Sequence, residues 1–386
     1  MVSKAFAPIL CVVGARPNFM KMAPLMDALG QDPGSIPTRL VHTGQHYDAG
    51  MKDAFFRQLG IPEPDIDLEV GSGTHAWQTA EIMKRFEPVL DAEEPSAVLV
   101  VGDVNSTIAC ALVAVKKQVP VIHVEAGLRS RDRGMPEEIN RVLTDQISDL
   151  LFTTERSARE NLLQEGINDK SIHFVGNVMI DTLRRNLPKA VAVRSLIGDQ
   201  ADPDRYQQEG RGFAVLTLHR PSNVDDIQVF RTILESVRTI SERLPVIFPV
   251  HPRTRERIDS LNLRDLLDTP EILLLEPQGY LEMLGLISAA RLVMTDSGGL
   301  QEETTALGVP CITLRNSTER PVTVDEGTNT IVGQDPDRIL AAVSEVLGSG
   351  GKQGRVPEFW DGQAAVRIKA VLNDWLQGHQ NRLLSR

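Results

Sequence analysis

A strand buried in a parallel sheet stays apolar along its length, so the first charged residue marks its end. Val119-Pro120-Val121-Ile122 runs into His123-Val124-Glu125-Ala126-Gly127-Leu128-Arg129, and after a short basic loop comes Met135-Pro136-Glu137-Glu138-Ile139-Asn140-Arg141. The first run reads as a buried parallel strand whose polar residues collect at its carboxyl end, where open α/β sheets bind ligands. Pro136 at a first helical position, with Glu137 and Glu138 beside it, reads as a helix start that favours negative charge. For Glu138, capping and dipole compensation suffice. Glu125 is different, because a carboxylate closing an apolar strand before a glycine needs a reason to be buried.

The pattern recurs. Residues 9–14 form an apolar run, and Gly14-Ala15-Arg16-Pro17 opens a segment with Phe19, Met22, Ala23, Leu25, Met26 and Leu29 at helical spacing. Arg16 sits where a planar guanidinium can hold a phosphate or carboxylate. Lys21 lies about one and a half turns further on, with solvated surface the competing explanation. Leu40-Val41-His42-Thr43-Gly44-Gln45-His46-Tyr47 is again a strand ending in polar groups, and Gly71-Ser72-Gly73 precedes a helical pattern through Trp77, Ile82, Met83 and Phe86. Ala97-Val98-Leu99-Val100-Val101 ends in Gly102-Asp103, with a helix start at Asn105-Ser106-Thr107. If consecutive parallel strands are neighbours, Asp103 and Glu125 emerge on one sheet edge.

Strands at 150–154 and 171–176 close this first alternation, and a polar tract follows at 188–212. The alternation restarts with apolar runs at 213–218, 246–250, 272–275, 292–295 and 309–314. A chain of 386 residues with 41 % apolar content suits two domains of ordinary size. The expectation is therefore α/β: two Rossmann-like doubly wound domains facing across a cleft. Residues 1–176 form the first and 177–363 the second, with a last helix at 364–386 packing back on the first.

Lys and Arg total 41 against 52 Asp and Glu, a net charge of −11, and the basic residues are scattered. That argues against a nucleic-acid or anionic-membrane partner and for a small molecule. Cys11, Cys110 and Cys311 lie far apart in apolar segments, without metal or dithiol spacing, and read as core residues of a cytoplasmic chain. The start of the chain runs straight into Gly14-Ala15-Arg16-Pro17, as a first strand and helix would, rather than a secretory leader. No apolar stretch reaches transmembrane length. Asn105-Ser106-Thr107 and Asn316-Ser317-Thr318 match the glycosylation pattern, read as accidental in such a chain.

In the second half, Leu216-Thr217-Leu218-His219-Arg220-Pro221 puts a histidine and an arginine at a strand end, and Pro249-Val250-His251-Pro252 repeats the arrangement. A strand-end histidine facing carboxylates suits acid or electrostatic work. Thr295-Asp296-Ser297-Gly298-Gly299 is a strand, a tight small-residue turn and a helix start, so backbone N–H groups and the helix dipole can approach a phosphate. The acids in the next turn, Glu302 and Glu303, suit a ribose. A nucleotide diphosphate held there would present its attached group to the first domain's carboxylates. Without a dinucleotide glycine pattern, a P-loop lysine or a metal-ligand cluster, the expected chemistry uses acids, bases and a good leaving group, with no cofactor and no metal.

Taken together, these segments resemble the non-hydrolysing UDP-N-acetylglucosamine 2-epimerase family. The matches are Gly14-Ala15-Arg16-Pro17 with Lys21 and Met22-Ala23-Pro24-Leu25, Thr43-Gly44-Gln45-His46, Gly102-Asp103, His123 to Arg129, and Pro136-Glu137-Glu138 with Asn140-Arg141. Further on come His219-Arg220, Asp296-Ser297-Gly298-Gly299 with Gln301-Glu302-Glu303, and Thr318-Glu319-Arg320-Pro321. The resemblance implies a glycosyltransferase-B-like fold, a UDP-sugar substrate and a homodimer. It implies interconversion of UDP-N-acetylglucosamine and UDP-N-acetylmannosamine, by anti elimination of UDP to a 2-acetamidoglucal and re-addition, supplying cell-surface polysaccharide synthesis. It implies Asp103, Glu125 and Glu137 as acid/base groups, His219 as a catalytic partner near the leaving group, and Arg16 as a nucleotide contact sharing in catalysis. Lys21, Arg141, His251, Ser297, Gly298, Gly299, Glu303 and Arg320 are implied as substrate or UDP contacts.

The chain also departs from the family pattern. Asn18 replaces a common Glu, and His219-Arg220-Pro221-Ser222-Asn223 replaces His-Arg-Arg-Glu. Trp77 stands before Gln78-Thr79 where members activated by a second substrate molecule carry arginine. Two alternatives keep the same carboxylates: a hydrolysing relative that releases N-acetylmannosamine and UDP, and a 2-epimerase for a UDP-diacetamido uronic acid sugar. The latter's extra carboxylate would need a cation, for which Arg129, Arg131 and Arg133 are the candidates.

Overall fold

The computed structural model describes residues 7–45, 59–198, 200–207 and 211–384. His46, Tyr47 and the side chain of Arg16 lie outside the described residues. The chain divides into two compact units, Met1–Arg185 with Glu358–Arg386, and Asn186–Pro357.

The first unit is a seven-stranded sheet whose paired strands all run parallel. In chain order its strands are β1 (Ile9–Val13), β2 (Thr38–His42), β3 (Ile66–Asp67), β4 (Ala97–Val101), β5 (Val121–Ala126), β6 (Leu150–Thr153) and β7 (Ile172–Phe174). The helices are α1 (Arg16–Gly30), α2 (His75–Glu93), α3 (Asn105–Lys116), α4 (Pro136–Ile147), α5 (Arg156–Gln164) and α6 (Val178–Asn186). The sheet order β3-β2-β1-β4-β5-β6-β7 reverses direction between β1 and β4, which opens a binding crevice at the carboxyl ends of those strands. Every residue of β1, β4 and β5 is buried, as a parallel sheet covered on both faces requires.

The second unit begins with two short helices, α7 (Val193–Ile197) and α8 (Pro203–Gln207), within the tract read as polar connection. Val193, Ile197 and Tyr206 from these helices pack into the core. Six parallel strands follow: β8 (Ala214–Thr217), β9 (Val246–Pro249), β10 (Ile272–Leu275), β11 (Leu292–Thr295), β12 (Cys311–Thr313) and β13 (Asn329–Ile331). Among them lie α9 (Pro221–Val224), α10 (Ile227–Ser241), α11 (Pro252–Ser260), α12 (Tyr280–Ala289), α13 (Gly298–Leu307) and α14 (Pro321–Asp325); α15 (Pro336–Ser349) ends the unit. The order β10-β9-β8-β11-β12-β13 puts this sheet's reversal between β8 and β11.

Alternate strand residues face opposite cores. Ala214, Leu216, Phe248 and Met294 pack with Phe230, Ile233, Leu234 and Val237 of α10, whereas Val215, Ile247 and Val293 pack with Leu286 and Ile287 of α12. Those α10 positions repeat at helical spacing, and each buried side chain contributes about 1.5–3 kcal/mol. The Asp226 carboxylate starts the helix by accepting from the N–H groups of Gln228 and Val229.

The first unit reaches further along the chain than residue 176. In α6, Val178, Met179, Ile180 and Leu183 are buried, and the Asp181 carboxylate accepts from the N–H groups of Ala364 (3.1 Å) and Ala365 (2.7 Å). It thereby caps α16 (Ala364–Leu384), which packs on α1. Trp360 is buried, and its indole N–H donates to the Thr154 carbonyl at 3.1 Å. The break therefore falls after Arg185, and residues 358–363 go with the first unit. Among the described residues no helix is long and apolar enough to cross a membrane.

Candidate active site

In the first unit the side chains gather where the sheet order reverses. Asn18 ties the crevice together: its Oδ1 accepts from the N–H groups of Gly14 (3.2 Å) and Ala15 (3.1 Å), and its Nδ2 donates to the Val101 carbonyl at 2.9 Å. The departure from Glu at this position thus gives a neutral clamp between the ends of β1 and β4. Lys21 is only 4 % exposed, which removes the surface reading, and its Nζ lies 2.6 Å from Glu125 Oε1. Glu125 has φ +73° at a register shift between Val124 and Ala126, a bulge in a parallel strand. Left-handed backbone at a non-glycine residue costs on the order of 1–3 kcal/mol, and bulges beside active sites re-aim side chains. Gly102 has φ +67°, and a Cβ there would meet Lys21 Nζ at 2.9 Å, so this turn needs glycine.

Below the crevice, His123 is fully buried, with Nδ1 2.7 Å from Asp145 and Nε2 2.8 Å from the Gly102 carbonyl. Asp145 also accepts from the Gly127 N–H at 3.1 Å and pairs with Arg129 at 2.8 Å. Burial would lower the Arg129 pKa, but Glu165 and Asp145 together hold it above its ordinary value. This guanidinium is therefore engaged inside the protein, and of the three arginines proposed for an extra substrate carboxylate only Arg131 and Arg133 are exposed.

Asp103, partly buried, is gripped from α4 at both ends. Asn140 Nδ2 donates to its main-chain carbonyl at 2.9 Å, and the buried Arg141 pairs with its carboxylate. Glu138 does more than the capping expected of it. It is 3 % exposed and turns away from the helix start to accept from Ser130, Arg131 and Arg141. Glu137, partly buried, stands beside it in the first turn of α4. Thr43 and Gln45 join the same polar layer through Ser106.

The second unit has a charged cluster at its own reversal point. Asp296, fully buried at the end of β11, lies 3.0 Å from His219 Nδ1. It also accepts from the N–H groups of His219 and Arg220 and from Asn223. Burial would raise the Asp296 carboxyl, but the hydrogen bond and charge of His219, helped by those N–H groups, hold its pKa below the ordinary value. Nδ1 faces the buried carboxylate, an arrangement that fixes the imidazole orientation, while the side chain stays 42 % exposed. The exposed ring of His251 sits 5.8 Å from that of His219.

Ser297 is the N-cap of α13, with Gly298 and Gly299 in its first turn. A Cβ on Gly298 would meet Glu319 Oε1 at 2.6 Å and Arg320 Nη1 at 2.7 Å, so a bare helix start lies against a buried cation. Arg320 pairs with Glu302 at 2.9 Å and Glu319 at 2.5 Å, and Arg315 with Glu319 at 2.8 Å. Burial opposes ionisation of Glu319, yet Arg320 and Arg315 hold its carboxyl far below the usual range. Glu303 is buried beside Tyr280, whose hydroxyl is pushed well up by burial and by the Glu303 charge.

Sequence reasoning singled out the strand-end acids and cations but gave no role to Asn18, His123, Asp145, Asp296 or Arg315. Of these only Asp296 carried a local signal, an acid between a strand and a Ser-Gly-Gly turn. The thiols take no part: burial, helped by the charge of Asp65, pushes Cys11 up to about 12, and burial pushes Cys311 to about 11.

The model of the UDP-N-acetylglucosamine 2-epimerase family matches residues 27–373. A UDP-N-acetylglucosamine 2-epimerase of Methanocaldococcus jannaschii is 43 % identical over 94 % of this chain and 97 % of its own. A UDP-2,3-diacetamido-2,3-dideoxy-D-glucuronate 2-epimerase of Pseudomonas aeruginosa is 41 % identical over 94 % of this chain and 99 % of its own. The crystal structure of M. jannaschii UDP-GlcNAc 2-epimerase in complex with UDP-GlcNAc and UDP superposes with a TM-score of 0.84 at 41 % identity, covering 95 % of this chain and 99 % of that one. A match over this much of the chain leaves one conclusion: the protein belongs to the UDP-N-acetylglucosamine 2-epimerase family, a family of isomerases.

Proposed function

We propose that this chain interconverts UDP-N-acetylglucosamine and UDP-N-acetylmannosamine without net hydrolysis. The observation that carries the reading is the bulge at Glu125, whose carboxylate meets Lys21 next to the Gly102 turn that leads into Asp103. Inverting one carbon needs an acid/base group on each face, and Asp103, Glu125 and Glu137 are the candidates. One carboxylate takes the C2 proton, the C2–H electron pair forms the C1=C2 bond of the glycal, and the C1–O pair leaves with UDP. In the return step a UDP oxygen attacks C1 as a proton reaches C2 on the other face. Lys21 and Arg141 are assigned to the sugar and its developing charge. The start of α13 with Ser297, Gly298 and Gly299, together with Arg320, His251 and Arg16, is assigned to the diphosphate. Glu303 takes the ribose, and His219, oriented by Asp296, assists the leaving oxygen.

A specific observation also supports the diacetamido uronate substrate, since that relative is nearly as similar as the plain epimerase. Arg131 and Arg133 are then its carboxylate partners. We also propose a cytoplasmic homodimer; the buried thiols support the first term and family resemblance the second. The test is proton NMR in D2O without added cofactor. UDP-N-acetylmannosamine bearing deuterium at C2 is expected, whereas free N-acetylmannosamine would replace this reading with hydrolysis. Turnover of the diacetamido uronate sugar alone would move the assignment to the modified substrate.

A further inference from the structure

The reaction reading leaves Glu138 without a task, yet its carboxylate is among the best satisfied in the first unit. Oε2 accepts from the Ser130 N–H at 2.9 Å, the Ser130 hydroxyl at 3.0 Å and Arg141 Nη1 at 2.7 Å, while Oε1 accepts from the Arg131 N–H at 2.8 Å. Arg131 is left-handed, with φ +59°, so this carboxylate holds a turn that an arginine does not favour by itself. Arg141, one turn along the same helix, is 3 % exposed and carries Asp103 on its other nitrogen. Asp103, from the end of β4, is the charged group that the far side of this assembly meets.

We propose that Glu138 is a positioning residue for Asp103, acting through Arg141, a role that rests on the epimerase reading. A planar guanidinium that bridges two carboxylates, one on each terminal nitrogen, is a rigid bracket, and removing one side frees the other to rotate. Misplacing a reacting group by about 1 Å can lower a rate by on the order of a hundredfold. Glu138 itself makes no contact with substrate, and Arg141 keeps its charge when Glu138 is lost, so the rate should suffer more than ground-state binding.

The test is a double-mutant cycle in C2–H exchange. Glu138→Gln, with folding checked by circular dichroism, is expected to lower kcat about 10–100-fold while KM moves less than threefold. Combined with Asp103→Asn, it is expected to be no worse than Asp103→Asn alone within about threefold, because its effect passes through that carboxylate. Losses that multiply, or a Glu138→Gln rate within twofold of the wild type, overturn the proposal. If Glu138→Gln does not fold, Glu138→Asp takes its place in the same cycle. A wild type that leaves C2–H of both UDP-sugars unexchanged counts against the reaction reading alone. The cycle is then read as melting temperature, where the Glu138 and Asp103 shifts are expected to be non-additive with Arg141 and additive in Arg141→Met. Additivity in both backgrounds overturns the bracket itself.

Discussion

Lys21→Met isolates the buried ion pair with Glu125 and has a magnitude that can be worked out. The side chains of the pair are 5 % and 2 % exposed at 2.6 Å, so removing the ammonium leaves a carboxylate in a site almost without water. Breaking such a pair from one side costs about 3–5 kcal/mol. The variant has an escape, since the carboxyl can take up a proton. The loss is thus capped by an amount that shrinks by about 1.4 kcal/mol per pH unit on acidification. In a unit of this size each kcal/mol moves Tm by about 2–4 °C, so the first unit's transition should fall by about 6–20 °C at pH 7 and by clearly less at pH 5. Differential scanning calorimetry is the assay, because two units can melt separately. Lys21→Met with Glu125→Gln should recover most of the pH 7 loss. A Tm drop of the same size at both pH values would refute the argument, because it would mean that packing of the lysine stem, not the stranded charge, sets the stability.

Three further outcomes follow from the same structure. Asp296→Asn removes a buried acceptor of several hydrogen bonds and should lower stability by about 1.5–3 kcal/mol at neutral pH. Because the folded pKa is depressed, that stability is present above the ordinary value of 3.8 and is lost as pH falls through the lower folded value, so the gap between wild type and variant should close below pH 3.8 in acid titrations of unfolding. Gly298→Ala places a methyl group against Glu319 and Arg320 at the start of α13, and should weaken UDP binding by isothermal titration calorimetry by at least tenfold, with the C2 chemistry of bound substrate little changed. Trp360→Ala should destabilise the first unit by about 3–5 kcal/mol in urea melts, while the second unit's transition stays in place.

What could be read in advance was whatever the sheet forces into local sequence. A parallel strand buried on both faces has to be apolar until it ends, so Asp103, Glu125, His219 and Asp296 announce their positions by breaking that run. Edge strands β3 and β13, of two and three residues, are too short to carry any periodicity and were missed. Lys21 was ambiguous because a lysine within a helix looks the same whether it meets water or a carboxylate more than a hundred residues away. The left-handed backbone of Glu125 was unreadable for a related reason: the lysine, the bulge and the neighbouring Gly102 turn support one another, and none implies the others locally. Glu138 was read as a cap because its position in α4 suits one, whereas its partners on a loop and on Arg141 are settled by how that loop folds back. The unit boundary moved because buried residues in α6 and the carboxylate of Asp181 outweigh the polar composition that follows.

The second unit is written into the first as an insertion, and this has a consequence for how the protein is made. A ribosome adding about 5–20 residues per second finishes the seven strands of the first unit and then takes roughly ten to thirty seconds over the next 170 or so residues before the closing segment emerges. Throughout that interval the surfaces reserved for Trp360 and α16 are bare, and the Asp181 carboxylate waits for the N–H groups of Ala364 and Ala365. The contiguous second unit has its whole core available first. The first unit, begun earlier, is completed last, and a nascent chain stalled near residue 357 would hold a finished second unit and an open, aggregation-prone first one.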